Sequence, residues 1–382
     1  MSQLASSPSL RLLVAALVAA AAVAALIAAA APPDAATYEE RDFLTRIRRV
    51  TVEGRRAGEG YWSPDGKRLV FQSEREAGNP FYQIYVLDLA SGDTKRISPG
   101  IGKTTCAFFR PGSDEILFAS THADPRSEEL QKEEIALRAS GRQRRYSWDF
   151  DPAMDIYVYG EKTGALKRLT QAPGYDAEAS YSPDGQWIVF TSTREAYGRS
   201  LSEGEAKRLE QDPAWFAEIH IMRADGSDVR RLTFSPGYDG GPFFTHDGSR
   251  IVWRRFDESG MVADVYTMRP DGSDVRRITD FGAMSWAPYE HPSGKYFFFA
   301  SNKLGFENFE LYIVDAEGLK EPVRVTYSAG FDGLPVPSPD GRQLSWTSSR
   351  SGAGAGQIFI AQWNHEKALE ALRDAPRRRS TQ

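Results

Sequence analysis

The sequence predicts an all-β fold, a six-bladed β-propeller, and three observations carry that expectation. First, a phrase of an aromatic residue, SPDG and an apolar run recurs: WSPDGKRLVF at 62–71, YSPDGQWIVF at 181–190 and PSPDGRQLSW at 337–346. Looser copies are FRPGSDEILF at 109–118, FTHDGSRIVW at 244–253 and EHPSGKYFFF at 290–299. Second, the turn positions Gly66, Ser113, Gly185, Gly248, Gly294 and Gly341 are spaced by 47, 72, 63, 46 and 47 residues, the range of a blade array. Third, a strand-like segment, IRRVT at 47–51, precedes the first copy with no unit of its own.

Each unit reads as four strands, a to d. SPDG is a tight turn, because Pro presets φ at its second position and Asp-Gly tolerates the later ones. It joins strand a to strand b, the apolar run such as RLVF at 68–71. Strand c follows as an aromatic, β-branched segment: QIYVLDL at 83–89, DIYVYG at 155–160, EIHIM at 218–222, DVYTM at 264–268, ELYIVD at 310–315 and QIFIA at 357–361. A Gly-bearing hairpin comes next, as in ADGSD at 224–228 and PDGSD at 270–274. Strand d is the most regular element: TKRIS at 94–98, LKRLT at 166–170, VRRLT at 229–233, VRRIT at 275–279 and VRVT at 323–326.

The last unit lacks a strand d, and the orphan IRRVT supplies one. Pairing it with QIFIA closes the ring and protects the edges that an open array leaves exposed. The propeller is expected over residues 37–363. NHEKALEALRDA at 364–375 reads as a short helix capped by Asn364, with Ala368, Leu369 and Leu372 on one face, before a basic tail to residue 382.

Residues 1–36 read as a signal peptide or a membrane anchor. Arg11 is the only charge before the run 12–31, which contains Ala, Leu, Val and Ile alone. A run of about twenty apolar residues can span a bilayer, so both readings stay open. Arg11 before the run and Asp34, Glu39 and Glu40 after it favour an N-terminus left inside. Either way the propeller is delivered outside the cytoplasm. Cys106 is the only cysteine, so no internal disulfide forms, and a small buried core residue is expected in TTCAFF. A net charge of −5 without long charged runs argues against nucleic acid.

The SPDG phrase, the IYVLD-like strand c and the RRLT strand d resemble the WD40-like propeller repeats of the TolB family over roughly residues 47–363. PGYDAEASYSPDGQWIVFTSTR at 173–194 is especially similar. The resemblance implies a propeller of the cell envelope. TolB carries a separate α/β domain before its propeller, but only about twenty residues separate the apolar run here from the first blade, and the stretch after Trp363 is short, so neither that domain nor a hydrolase domain is expected.

The a–b and c–d turns are short and share one face. Nearly all insertion lies in the b–c connections of the other face, above all 121–154 in blade 2 and 193–217 in blade 3. Insertions gathered on one face mark the binding face of a repeat array. The segment SEELQKEEIALRAS at 127–140 is expected to be helical and polar. The d–a turns on that face carry acids: Glu59 in GEGYW, Asp176 and Glu178 in GYDAE, Asp239 in GYDGG and Asp332 in FDG. Tyr175, Tyr238 and Phe331 precede the three Asp residues, and blade 5 carries MSWAP at 284–288 instead. Carboxylates around one mouth form a negative funnel for a basic peptide, an amine or a cation. The competing reading is a set of local turns in which each carboxylate caps backbone N–H groups.

No GxSxG elbow, HExxH, Walker A or dinucleotide fingerprint occurs, and the DGSD turns lack the remaining ligands of a calcium loop. His220, His246 and His291 fall at structural positions. His122 alone follows strand b on the inserted face. With Asp176, Glu178 and Asp239 it is the one base or metal-ligand set the sequence offers. The favoured expectation is a non-catalytic, monomeric, exported binding module for an envelope protein, peptide or glycan, needing no cofactor. The alternative is a propeller enzyme, a polysaccharide lyase or hydrolase working at the channel mouth. Cell fractionation checks the address: the protein should appear in the periplasm or with the inner membrane, and full-length chain in the soluble cytoplasmic fraction contradicts the reading.

Overall fold

The computed structural model describes residues 38–141, 150–352 and 355–378. The expected signal or anchor at 1–36, part of the blade 2 insertion and most of the basic tail therefore lie outside the described residues. The chain forms six four-stranded antiparallel sheets, arranged as a six-bladed propeller. Blade 1 runs through Arg56–Trp62, Arg68–Glu74, Gln83–Asp88 and Thr94–Arg96 as strands a to d. The innermost strands of blades 2 to 6 are Thr104–Phe109, Asp176–Tyr181, Asp239–Phe244, Ser285–Glu290 and Asp332–Pro337.

The ring closes as the orphan segment predicts, with a shift of register. The closing strand is Leu44–Arg49, three residues earlier than the motif, and it pairs antiparallel with Gln357–Trp363 of blade 6. Val50 and Thr51 leave the ladder but not the blade. Val50 N donates to Ile358 O at 2.9 Å, and Thr51 Oγ1 donates to Gln357 Oε1 at 2.7 Å while accepting from Ile358 N at 2.9 Å.

That Thr contact explains why every d strand is shorter than its sequence motif. The ladder ends at the arginine: Leu166–Arg168, Arg230–Arg231, Arg276–Arg277 and Val323–Arg324. Beyond it the chain folds back on the first residue of strand c. In blade 5, Glu310 accepts from Arg324 Nη2 and Thr326 Oγ1, both at 2.6 Å, and Arg324 Nε donates to Thr326 O at 2.7 Å. Asp155, Glu218 and Asp264 hold Arg168 and Thr170, Arg231 and Thr233, and Arg277 and Thr279 in the same way. Blade 1 substitutes the neutral pair Gln83 and Ser98 at 2.7 Å, and blade 6 the pair Gln357 and Thr51. Hydrogen bonds to charged groups contribute about 1.5–3 kcal/mol each, so the motif is a repeated clamp on each blade's outer edge.

Helix α1 (Glu40–Phe43) leads into the closing strand. Helix α2 (Ser127–Ala139) forms where the blade 2 insertion predicts it, and Gln131 ties it down by accepting from Gly102 N at 2.6 Å. Helices α3 (Arg194–Tyr197) and α4 (Glu203–Gln211) occupy the blade 3 insertion. Helix α5 (His365–Asp374) is capped by Asn364 and buries Ala368, Ala371 and Leu372 against Phe43, Leu44 and Trp363. Among the described residues no helix is long and apolar enough to cross a membrane.

The blade 6 clamp can be tested alone. Thr51→Val keeps the shape but strands the Gln357 carbonyl and the Ile358 N–H, each buried. Chemical unfolding should show a loss of about 1–3 kcal/mol, and removal of residues 38–51 should abolish cooperative unfolding.

Candidate functional site

The centre of the propeller is built from one backbone irregularity, repeated in every blade. The a–b ladders slip between Gly58 and Tyr61, Thr105 and Phe108, Ala177 and Ser180, Gly240 and Phe243, Trp286 and Tyr289, and Gly333 and Val336. At each slip one residue takes a left-handed conformation: Glu59, Cys106, Glu178, Gly241, Ala287 and Leu334, with φ between 51° and 59°. Such a bulge turns its side chain out of the sheet, and left-handed φ costs a non-glycine residue roughly 1–2 kcal/mol. Its presence in all six blades makes the strain a property of the fold. Proline follows the bulge residue in three blades, at Pro242, Pro288 and Pro335, where the ladder has no use for an N–H.

Two residues further along strand a, Tyr61, Phe108, Phe243 and Tyr289 meet in the channel. Tyr61 lies 5.6 Å from Phe108 and 5.5 Å from Phe243, which lies 4.9 Å from Tyr289. These rings plug the channel below the bulge residues, so the bulges floor a mouth on the inserted side.

The floor is polar across blades 1 to 4. Cys106 Sγ donates to Glu59 Oε2 at 3.3 Å. Glu178 accepts from Gly241 N at 2.6 Å, Arg254 Nη2 at 2.9 Å, Thr191 Oγ1 at 3.2 Å and Tyr175 OH at 3.3 Å, and the Tyr238 hydroxyl joins it to Arg254. Gly241 is required here: a Cβ would stand 1.8 Å from Arg254 Nη1, because the guanidinium fills the place of a sixth bulge side chain. Burial pushes the Glu59 carboxyl up to about 7, aided by Glu178 and opposed by the thiol hydrogen bond and Arg254. Burial also raises the Cys106 thiol, so it is a poor nucleophile. Across blades 5 and 6 the floor is apolar: Ala287 and Leu334, walled by Trp286, Phe309 and Phe331, whose ring centroids lie 5.6–6.2 Å apart. Phe150, from the blade 2 insertion, sets its edge on Tyr175 at 5.0 Å and Tyr238 at 5.4 Å.

No protein-family model matches the chain. It is 28% identical over 216 residues to uncharacterized protein Atu1656 of Agrobacterium fabrum, which covers 51% of this chain and 64% of that protein. The chain spans less than two thirds of the length of the curated relatives it matches. A putative TolB from Agrobacterium tumefaciens superposes with a TM-score of 0.53 at 21% identity, over 81% of this chain and 90% of that one. An oligogalacturonate lyase from Vibrio parahaemolyticus superposes with a TM-score of 0.51 at 12% identity, over 84% and 94% of the two chains. The chain is a six-bladed β-propeller similar in fold to these proteins. At these identities the likeness establishes the fold.

In this propeller the acids of the d–a turns do not form an open funnel. Asp176, Asp239 and Asp332 are fully buried, and each is neutralised within its own blade. Asp176 pairs with Arg194 at 2.6 Å and Asp239 with Arg255 at 2.7 Å. Asp332 pairs with Arg350 at 2.9 Å, and Arg350 also holds Glu40 of α1 at 2.8 Å. Trp253 Nε1 and Trp346 Nε1 donate to Asp239 and Asp332, both at 3.0 Å. Local capping is not their role either, since the partners are side chains of strand b and the residues after it. A carboxylate leaves water at a cost of several kcal/mol unless paired, and the arginines meet that cost.

Of the expected site residues, the structure brings Glu59, Tyr175, Glu178 and Tyr238 together at the floor. His122 stays apart: its Nδ1 meets Ser120 Oγ at 2.9 Å, its ring packs 4.3 Å from Tyr157, and burial with Arg168 lowers its pKa. It makes no hydrogen bond to Asp176, Glu178 or Asp239. Among the described residues no three His, Cys, Asp or Glu side chains stand together as metal donors. Sequence reading did not place Arg254, Cys106 or Trp286 in the site; prolines inside strand a, at Pro242, Pro288 and Pro335, are the signal that marks the bulges of blades 4 to 6.

Glu59 makes the floor responsive to pH. The folded chain keeps a proton that an unfolded Glu releases above about 4.3, so stability falls as pH rises from about 4.3 to about 7 and then levels. Glu59→Gln should flatten that slope and stabilise the protein by about 1–3 kcal/mol at pH 8 relative to the parent. Urea unfolding of both proteins at pH 5 and pH 8 measures the difference; Glu218, which burial also pushes up to about 7, adds to the slope in both, and the buried neutral histidines, His220 at about 3 and His291 at about 4, oppose it in both.

Proposed function

We propose that this propeller is an exported, monomeric binding module of the cell envelope that takes a protein, peptide or glycan on its inserted face. The observation that carries the reading is the asymmetry of the channel. Aromatic rings close it below the bulges, and the one mouth left is rimmed by the long connections of blades 2 and 3. More exposed apolar residues lie in the connections of that side, among them Val52, Ile101, Phe234, Met261, Leu304 and Phe306, than in the hairpins opposite, which expose Val229, Val275 and Leu319. Large apolar side chains left in water around one opening favour a partner surface. The apolar run at 12–31 supports export, and the TolB-like fold supports the envelope.

Binding without chemistry fits the floor. Its acids are hydrogen-bonded or ion-paired, its thiol is held protonated, and His122 is committed to Ser120 and Tyr157. The oligogalacturonate lyase shares the architecture, but a lyase reading for this chain needs a base and an acid converging at the mouth, and His122 stands away from the carboxylates that were to join it.

Crosslinking in the envelope identifies what is captured. Leu304→Ser with Phe306→Ser should then lower capture by tenfold or more while thermal melting is unchanged, because both side chains are already more than half exposed. Val275→Ser with Leu319→Ser, on the opposite face, should leave capture intact. Capture should vary little with salt, since the mouth's charges are internally paired. Equal capture by the parent and the Leu304/Phe306 double variant removes this face from the account.

A further inference from the structure

On the short-hairpin face, three of the five histidines gather where blades 4, 5 and 6 meet helix α5. His291, in the a–b turn of blade 5, stacks on His365, the first residue of α5, with ring centroids 4.4 Å apart and planes at 7°. Tyr296 stacks on His291 from blade 5 at 4.6 Å. His246 of blade 4 stands beside them, bonded through its N and Nδ1 to Glu290 at 2.6 and 3.2 Å.

Burial and the hydrogen bonds of both stacked rings suit the neutral form. His291 Nδ1 accepts from Ser293 N at 3.1 Å, so its proton is on Nε2, which donates to Gly341 O at 3.2 Å. A second proton on Nδ1 gives up the bond from Ser293 N, and only Ser293 Oγ, at 2.9 Å, is left to accept it. Trp363 Nε1 donates to Tyr296 OH at 2.7 Å, and in the neutral ring His365 Nδ1 accepts from that hydroxyl at 3.0 Å. A proton on that nitrogen makes the hydroxyl accept from both Trp363 and His365, and its own hydrogen must then turn away from this bond. Two imidazolium rings in face-to-face contact also repel.

The helix these rings seat holds other parts in place. Asn364 N donates to Phe43 O at 2.9 Å, and Lys320 Nζ of blade 5 donates to Arg373 O and Ala375 O, both at 2.8 Å. The chain after α5 then pairs Arg377 with Lys320 as an added edge on blade 5.

We propose that α5 and the chain behind it form a pH-sensitive latch, docked while His291 and His365 are neutral and released when acid protonates them. The latch secures the entry of the closing strand and the outer edge of blade 5. The charged neighbours agree in direction. Burial, and then His365 and His246, push His291 down to about 4 against its bond to Gly341. Burial and Lys295 lower His365, and Glu366 opposes them. With docked values below the free one, docking is complete above about pH 6.5 and weakens as pH falls below it.

Hydrogen exchange of residues 365–375, corrected for intrinsic rate, tests this on the full chain. A histidine that is protonated only after undocking weakens docking by up to about 30-fold between about pH 7.5 and about pH 5. Protection there should fall by that order, while strand Glu115–Ser120 of blade 2 keeps its protection. His365→Phe keeps the stacking and should reduce the pH dependence, leaving the part that His291 contributes. In the parent, the His365 imidazole resonance should titrate below about 6.5. Unchanged protection of 365–375, equal loss in blade 2, an unaltered pH response in His365→Phe, or titration of His365 at or above about 6.5 would each overturn the latch.

Discussion

The clamp between the last arginine and threonine of strand d and the first residue of strand c is the interaction on which the ring depends. A propeller blade ends in an outer strand with one neighbour, and here that strand is two or three residues long in blades 1 to 5. So short a ladder is weak by itself. The side-chain clamp continues the pairing where the backbone stops, and a buried carboxylate gives it direction. It also explains the closure. Thr51 reaches Gln357 across 306 residues of sequence with the geometry that Thr326 uses on Glu310 within one blade. The ring therefore closes with the same parts that make each blade, and loop-closure entropy is offset at a single well-satisfied site.

A second constraint runs around the centre. Six inner strands converge on one axis, and a bulge in each turns one side chain toward it. The next blade is gripped at the same point: the bulge N–H groups of Glu59, Cys106 and Gly241 donate to Thr347, Gln72 and Thr191 of the preceding blade. What stands at the six positions then decides the character of the mouth. Two glutamates, a cysteine and a borrowed guanidinium make one arc polar, and alanine and leucine beside Trp286 make the other apolar. The same scaffold could present a different floor by changing six residues, which is how one fold carries unrelated functions.

Much of the architecture was legible in the residues. SPDG turns, aromatic c strands and RRLT segments repeat with a blade's period because each blade solves the same packing problem, and the orphan IRRVT announced the closure. Helix α2 followed from the composition of its insertion. The site was less legible. Asp176, Asp239 and Asp332 stand in the right turns for a funnel, but their partners Arg194, Arg255 and Arg350 come from the far end of strand b, a relation that a linear reading does not rank. His122 lay on the expected face and was drawn to Ser120 and Tyr157 instead.

The sequence alone determined the number of blades, the direction of the insertions and the strand that closes the ring, because turn chemistry and strand periodicity are local and are written in consecutive residues. Only the tertiary structure decided which charges are free. Burial makes an unpaired carboxylate too costly to keep, so every acid near the axis takes the nearest donor in three dimensions, whatever its place in the chain. That is why Arg254, with no motif around it, came to sit between Glu178 and Tyr238 at the centre of the floor, and why three acids expected in the mouth ended inside the walls.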